Sequence, residues 1–395
     1  MSTHIAVEYT AGLAQGGGVG RYTRGLVAAL LAQSGPETYT LVHARDVMPD
    51  AGSPLPPNAR WRAWPFTQRQ GAIFWHRLGL PVAAERFLGD VDVFFSPDFV
   101  LPPLKRARGV VTVHDLSFLA APAFHEPSLR RYLAKAVARS VHRADHIFAD
   151  SAFTKAELVR RLDVPSERIS VVYPGVEPRF RPYDRDDPTD RAELEHVRAL
   201  FGLDNPFILS VGTLEPRKNF DGLIRAYAHL VRSGDVRHEL VIAGGRGWLN
   251  KDRELYALVD ELGLGGQVLF LGYVDDEYLP ALYNLADLFA FVSHYEGFGL
   301  PVLEALACGV PTVCTRTSSL PEVGGDVVLY VDDPHDTHAI AEALARGLED
   351  ETWRSHCRQA GPQQAARFTW EAAARQARAH LLGETQAERA AEGHT

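Results

Sequence analysis

Short apolar runs recur along the chain, and between most of them lie longer stretches in which apolar residues return every three or four positions. The short runs read as buried strands and the longer ones as amphipathic helices. Strands are expected over residues 5–9, 91–96 and 110–113, around Ile147 and Val171, then over 207–211, from 239, and over 267–274, 286–293, 312–315 and 327–331. Helices follow most of them. Leu26, Leu30 and Leu31 share one face after the first strand, Ser151 caps another helix, and Pro301 supplies the fixed φ that suits a first helical position. Alternation of this kind builds parallel sheets with helices on both faces, an α/β, doubly wound fold.

At 395 residues the chain exceeds what one core usually fills, so two domains are expected. The turn Tyr173-Pro174-Gly175 closes the first, and the charged, proline-bearing text that follows reads as a linker with a short helix. The expected division is 1–180 for the first domain, 181–205 for the linker, 206–365 for the second domain, and 366–395 for a terminal helix with a fraying tail. Residues 47–68, rich in Pro, Gly and aromatics, read as an excursion from the first sheet.

Charge divides the chain as well. Residues 1–185 hold 23 Lys+Arg against 17 Asp+Glu, and residues 186–395 hold 18 against 33, so a net charge of −9 conceals a basic front half. Arg131, Lys135, Arg139 and Arg143 recur along one helix face, either solvated or resting on anionic lipid. Cys308, Cys314 and Cys357 lack metal-like spacing and suit buried thiols in a reducing compartment. The N-terminus enters a strand directly, and no apolar run approaches the ~18 residues of a spanning helix. A cytoplasmic protein is expected, at most peripheral on a membrane.

The densest chemistry lies in HYEGFGLPVLEALACGVPTV, His294 to Val313. Here a strand, a loop and a helix follow one another, with Glu296 in the loop and Glu304 eight positions on in the helix. Between them the amides of Phe298, Gly299 and Leu300 stand at the positive end of the helix dipole, where a phosphate binds. Carboxylates beside a phosphate make sense as readers of vicinal hydroxyls. One anion site and two diol readers describe a sugar nucleotide. The bland alternative makes Glu296 a solvated loop residue and Glu304 an ordinary helix acid.

The string E-G-F-G-L-P-V-L-E-A-L-A-C-G-V-P resembles the E-x7-E motif of retaining GT-B glycosyltransferases of family four, and the likeness extends from the glycine loop to Trp370. It implies two Rossmann-like domains facing across a cleft, with the donor clamped largely by the second. It further implies transfer of a hexose from a nucleotide-diphosphate sugar to a glycan or lipid-linked saccharide, with retention and without a metal or cofactor. T-L-E-P-R-K-N followed by V-S-x-x-E-G-F-G-L-P resembles bacterial surface-polysaccharide mannosyltransferases, and that resemblance favours GDP-mannose as donor. By the same resemblance Gly17 and Gly18 approach the donor, His114 lies near its hexose, and Tyr273 and Val274 meet the base. Lys218, with Arg217 beside it, neutralises the diphosphate. Glu296 then takes the hexose and Glu304 the ribose. The family has an arginine where this chain has Thr213, and Arg217 stands in for it.

Three further features carry alternatives. Asp90 and Asp92 match a D-x-D metal motif that is short enough to arise by chance. Trp61, Trp64, Phe66 and Trp75 either form an acceptor surface or pack together. The same architecture also suits a sugar-nucleotide 2-epimerase or a non-catalytic nucleotide- or carbohydrate-binding protein.

Overall fold

A computed structural model describes residues 2–33, 35–49, 54–234, 236–247 and 251–384. The chain forms two compact units, one of residues 1–175 and 369–395, the other of residues 176–368. The expected fraying tail, from Glu384, lies outside the described residues from 385 on.

The first unit holds a seven-stranded parallel sheet made of β1 (His4–Glu8), β2 (Thr38–His43), β3 (Ala59–Ala63), β4 (Val93–Ser96), β5 (Arg108–Val113), β6 (His146–Ala149) and β7 (Ile169–Val171). Its order is β3-β2-β1-β4-β5-β6-β7. The 47–68 excursion needs correction here, because Ala59–Ala63 is the edge strand and pairs with β2 from Tyr39↔Ala59 to His43↔Ala63. An edge strand bonds on one side only, and ARWRA keeps most of its side chains accessible, so it lacks the apolar signature of a buried strand. The helix Trp370–Leu382 packs on this unit against Gly18–Ala32. Arg378 there clasps the buried Glu37 at 2.6 and 2.9 Å, and Gln376 donates to the Val171 carbonyl at 2.7 Å.

The second unit has the order β10-β9-β8-β11-β12-β13, again all parallel. Its strands are β8 (Phe207–Val211), β9 (Glu239–Ala243), β10 (Val268–Gly272), β11 (Leu288–Phe291), β12 (Thr312–Thr315) and β13 (Leu329–Val331). Residues 181–205, expected as the connection, hold the helix Pro188–Phe201, which buries Leu194 and Val197 and packs on the helix Leu279–Leu285 of this unit. Asp187 caps it at one end, and Gly202, at φ 65°, closes the other.

Each sheet has one place where the strand order reverses, between β1 and β4 in the first unit and between β8 and β11 in the second. Helices leave such a point in opposite directions, which opens a crevice at the carboxyl ends of the two strands. The three cysteines are free and buried, and burial pushes each thiol up. Among the described residues no helix is long and apolar enough to cross a membrane. On the helix Pro127–Arg143, Arg139 and Arg143 donate to the carbonyls of His76 and Leu101 at 2.6 and 3.0 Å, so half of the basic stripe serves the fold.

Candidate active site

The reversal between β8 and β11 gathers three of the expected residues. After β8 the chain turns through Pro216–Lys218, and after β11 it runs through Glu296 to the helix Leu300–Ala307. Glu296, 6% exposed, accepts from Arg217 Nη1 and Lys218 Nζ, both at 2.7 Å. Burial alone would raise its carboxyl, yet the two cations hold it below the ordinary range. Lys218 is pulled down by burial against the attraction of Glu296, and its ammonium lies 4.8 Å over the Phe291 ring. Arg217 also donates to the Tyr295 carbonyl at 3.0 Å and approaches Glu215 at 3.4 Å. Glu296 thus faces two cations, one of which also meets Glu215, and a polyanionic ligand could take over the partnership of both cations.

The backbone holds these loops in place. Asn219 sits at φ 57°, a left-handed conformation that asparagine tolerates, and donates from Nδ2 to the carbonyls of Val292 (3.0 Å) and Pro334 (2.7 Å). It thereby laces together the loops after β8, β11 and β13. Ser318 accepts the Glu296 amide at 2.8 Å, and Ser319 donates to the carbonyls of Glu296 and Phe298 at 3.0 and 2.9 Å. Sequence reasoning missed this supporting role of Asn219, Ser318 and Ser319. For Asn219 the sequence signal is an asparagine, which tolerates the left-handed conformation, directly before a helix.

Gly299 begins the helix at φ 115° and, as glycine, brings no side chain to cap it. Phe298 is buried, and Pro301 stands in the first turn as expected. Glu304 lies one turn further, 1% exposed, its Oε2 accepting from the Tyr283 hydroxyl at 3.1 Å. Glu296 is buried and not a solvated loop residue, while Glu304 is a buried acid within its helix. Tyr273 stands beyond the end of β10, two strands from β8, and is 59% exposed, whereas Val274 is buried.

The other candidates belong to the first unit. His114 follows β5 and is buried. Its Nδ1 lies 2.7 Å from Asp150 Oδ2 and its Nε2 lies 2.9 Å from the Pro97 carbonyl. Both partners only accept, so the ring that satisfies both carries two protons. Burial opposes that charge, but Asp150, Asp98 and the Pro97 carbonyl outweigh it and raise the imidazole to about 9. A raised histidine contributes stability below its unfolded value near 6.5 and loses it as pH climbs through about 9. The chain is expected to lose up to roughly 3 kcal/mol across that window. Melting temperatures between pH 7 and 10 check this, and a His114→Gln variant that keeps the slope would remove the histidine as its source.

Gly17 and Gly18 open the helix Gly18–Ala32 and are exposed. A Cβ at either would meet nothing within 4 Å, whereas one at Gly20 would lie 1.9 Å from the Gln15 carbonyl oxygen. Packing therefore demands glycine at 20 but not at 17 or 18. Trp64 and Trp75 are buried, and Trp64 stacks on Phe66 at 5.4 Å. Trp61 sits apart on the edge strand, against Tyr9 and His43. Asp92 Oδ2 accepts the His4 amide at 2.8 Å, and Asp90 pairs with Arg106 on the surface. Among the described residues no group of three or more His, Cys, Asp or Glu could hold a metal ion.

With this geometry in view, comparison with known proteins is direct. A family model described as "Glycosyl transferases group 1" matches residues 192–364, and "Glycosyltransferase Family 4" matches 16–180. The O-antigen chain mannosyltransferase B of Escherichia coli is 36% identical over 363 residues, covering 90% of this chain and 93% of that protein. This chain is a family-four, group 1 glycosyltransferase. Two solved structures share the transferase's GT-B fold. The sucrose-phosphate synthase of Thermosynechococcus elongatus has a TM-score of 0.73 at 23% identity, over 95% of this chain and 97% of its own. Anabaena HepE, solved with UDP and glucose, has a TM-score of 0.71 at 18% identity, over 96% and 99%.

Proposed function

We propose that this glycosyltransferase moves a mannosyl group from GDP-mannose to a glycan or lipid-linked saccharide, with retention at the anomeric carbon and without a metal ion. The observation that carries the reading is the Arg217–Glu296–Lys218 cluster at the β8/β11 reversal, with Glu296 buried between two partly buried cations. Arg217 and Lys218 bind the donor diphosphate and offset the charge that grows on it as the sugar–phosphate bond breaks. Glu296, oriented by the same two cations, accepts from hexose hydroxyls. The amides of Phe298, Gly299 and Leu300 reach phosphate or sugar, Glu304 reads the ribose, and Tyr273 with Val274 flanks the base. The unhindered backbone at Gly17 and Gly18 suits close approach of the donor. His114, whose two N–H groups are taken by Asp150 and the Pro97 carbonyl, acts near the hexose as a positioning residue for the loop after β5. The name of the relative from Escherichia coli supports mannose and a polysaccharide acceptor. The basic face around Arg131 and Lys135 offers peripheral contact with an anionic membrane surface.

The deciding experiment incubates the chain with GDP-mannose and a mannoside acceptor in excess chelator and assigns the anomeric configuration of the product by NMR. An α-linked product made in chelator supports the reading. Isomerised donor with no transfer would replace it with an epimerase, and loss of transfer restored by a divalent ion would remove metal independence.

Lys218→Ala is expected to weaken GDP binding by about 1.5–3 kcal/mol, the range of a charge-assisted hydrogen bond. Calorimetry with GDP measures it directly, and an unchanged Kd would take the lysine out of the diphosphate site.

A further inference from the structure

The donor reading uses the carboxyl ends of β8 and β11, and the opposite edge of the same sheet holds a second cavity. It has a volume of about 220 Å³, is half open to solvent, and is lined by Tyr183, Arg185, Asn284, Asp287, Arg354 and Arg358 among others. Asp287 precedes β11 and Pro311 precedes β12, so the cavity lies at the amino ends of both strands. Glu296 follows the other end of β11, past four residues that span about 13 Å. The sheet stands between the two sites.

Three guanidinium groups converge on this cavity from two segments. Arg354 and Arg358 stand one turn apart on the helix Glu351–Ala365, and Arg185 comes from the stretch before the helix Pro188–Phe201. Arg354 is 7% exposed, and the Gly347 carbonyl fixes it by accepting from Nη1 at 3.2 Å. Its Nη2 stands 4.0 Å from Asp287 Oδ1, too far for a hydrogen bond. Glu351, on an exposed side chain, answers both helix arginines, at 3.2 Å from Arg354 Nε and 2.7 Å from Arg358 Nη1. Among the described residues Arg185 has no ion pair, and the neighbouring Asp184 turns to the Asp186 amide at 2.9 Å. Two carboxylates thus serve three cations. One of them, Asp287, is also shared with His238 at 3.7 Å and the Phe207 amide at 3.3 Å.

A buried guanidinium in a polar cavity with surplus positive charge selects an anion. A carboxylate is matched by a single guanidinium fork, whereas three guanidinium groups match the three outer oxygens of a phosphate ester. Asn284 is occupied by the Tyr183 amide and by the carbonyls of Arg181 and Pro280, so it shapes the wall and leaves recognition to the arginines. We infer that this cavity binds a phosphate group carried by a second molecule, with Arg185, Arg354 and Arg358 as its ligands and Glu351 as the side chain it displaces. The inference does not depend on which sugar or base the donor carries. The helix Leu300–Ala307, which starts in the donor loop, ends against the cavity at Cys308 and Gly309, so an occupant braces the far end of that helix.

Phosphorus NMR of inorganic phosphate, titrated with the full chain at low ionic strength, tests it without turnover. Line broadening is expected with the native chain, and apparent affinity is expected to fall about tenfold in Arg185→Gln and in Arg358→Gln. Glu351→Gln removes the competing carboxylate and is expected to tighten binding severalfold, a gain that a misfolded variant does not produce. Lys218→Ala, which alters only the donor edge, is expected to keep the broadening. Affinity unchanged in both arginine variants, weaker binding in Glu351→Gln, broadening lost in Lys218→Ala, or none in the native chain overturns the inference. Competition by glucose 6-phosphate assigns a soluble phosphate ester as the carrier, and competition only by phosphatidylcholine vesicles containing phosphatidic acid assigns a lipid headgroup.

Discussion

Glu296→Gln is expected to lower the transfer rate by about 10²–10³-fold while leaving GDP affinity unchanged or tighter. The two readouts separate because the carboxylate faces two cations at 2.7 Å. Glutamine keeps the shape and one acceptor oxygen, but it removes the negative charge that offsets Arg217 and Lys218. Freed of that partner, both cations meet a diphosphate with more of their charge available. What disappears is the oriented acceptor for hexose hydroxyls, which matters most as the sugar becomes positive in the transition state. Steady-state kinetics combined with calorimetry decide the matter. A variant with kcat within threefold of native would show that Glu296 only shapes the loop.

The second large effect falls on Gly299. This residue starts the helix at φ 115° and ψ 47°, and a Cβ there would lie 2.7 Å from Leu320 Cδ2. Gly299→Ala thus meets backbone strain of about 1–3 kcal/mol and overpacking of similar size. Urea unfolding of the second unit is expected to show a loss of roughly 2–5 kcal/mol, with transfer falling alongside because Glu296 and Phe298 share the loop. Adding Leu320→Ala removes the clash but not the strain, so partial recovery in the double variant is the specific outcome. If Gly299→Ala alone unfolds like the native chain, steric demand does not explain the glycine.

Much of this was legible in the sequence because the signals were local. β8 and β12 stand where their apolar runs put them, and Pro301 marks the helix start. β2 gave no such warning, being a six-residue run between charged and glycine-bearing text, and β3 is polar because one of its edges lacks a neighbour. In the candidate site the residue types were readable and their partnership was not. Glu296 and Lys218 lie 78 positions apart, and only the sheet order brings the ends of β8 and β11 side by side. Reading Arg217 and Lys218 as diphosphate ligands and Glu296 as a sugar ligand treated as separate what the fold binds into one ion cluster. The guanidinium of Arg217, the expected stand-in for the family arginine absent at Thr213, reaches the same carboxylate as Lys218.

The chain leaves the first unit after Gly175 and re-enters it at Thr369, and within the second unit the Val176 amide bonds the Phe368 carbonyl at 3.1 Å. The second unit is therefore an insert with adjoining ends, which can be excised as 176–368 or permuted by joining those ends with a short glycine linker. The first unit tolerates no such surgery at its C-terminus. Cut at Gly175, it would bare the apolar surface that Trp370, Ala377 and Leu381 cover, and recombinant 1–175 would collect as inclusion bodies unless 369–384 were supplied in the same polypeptide.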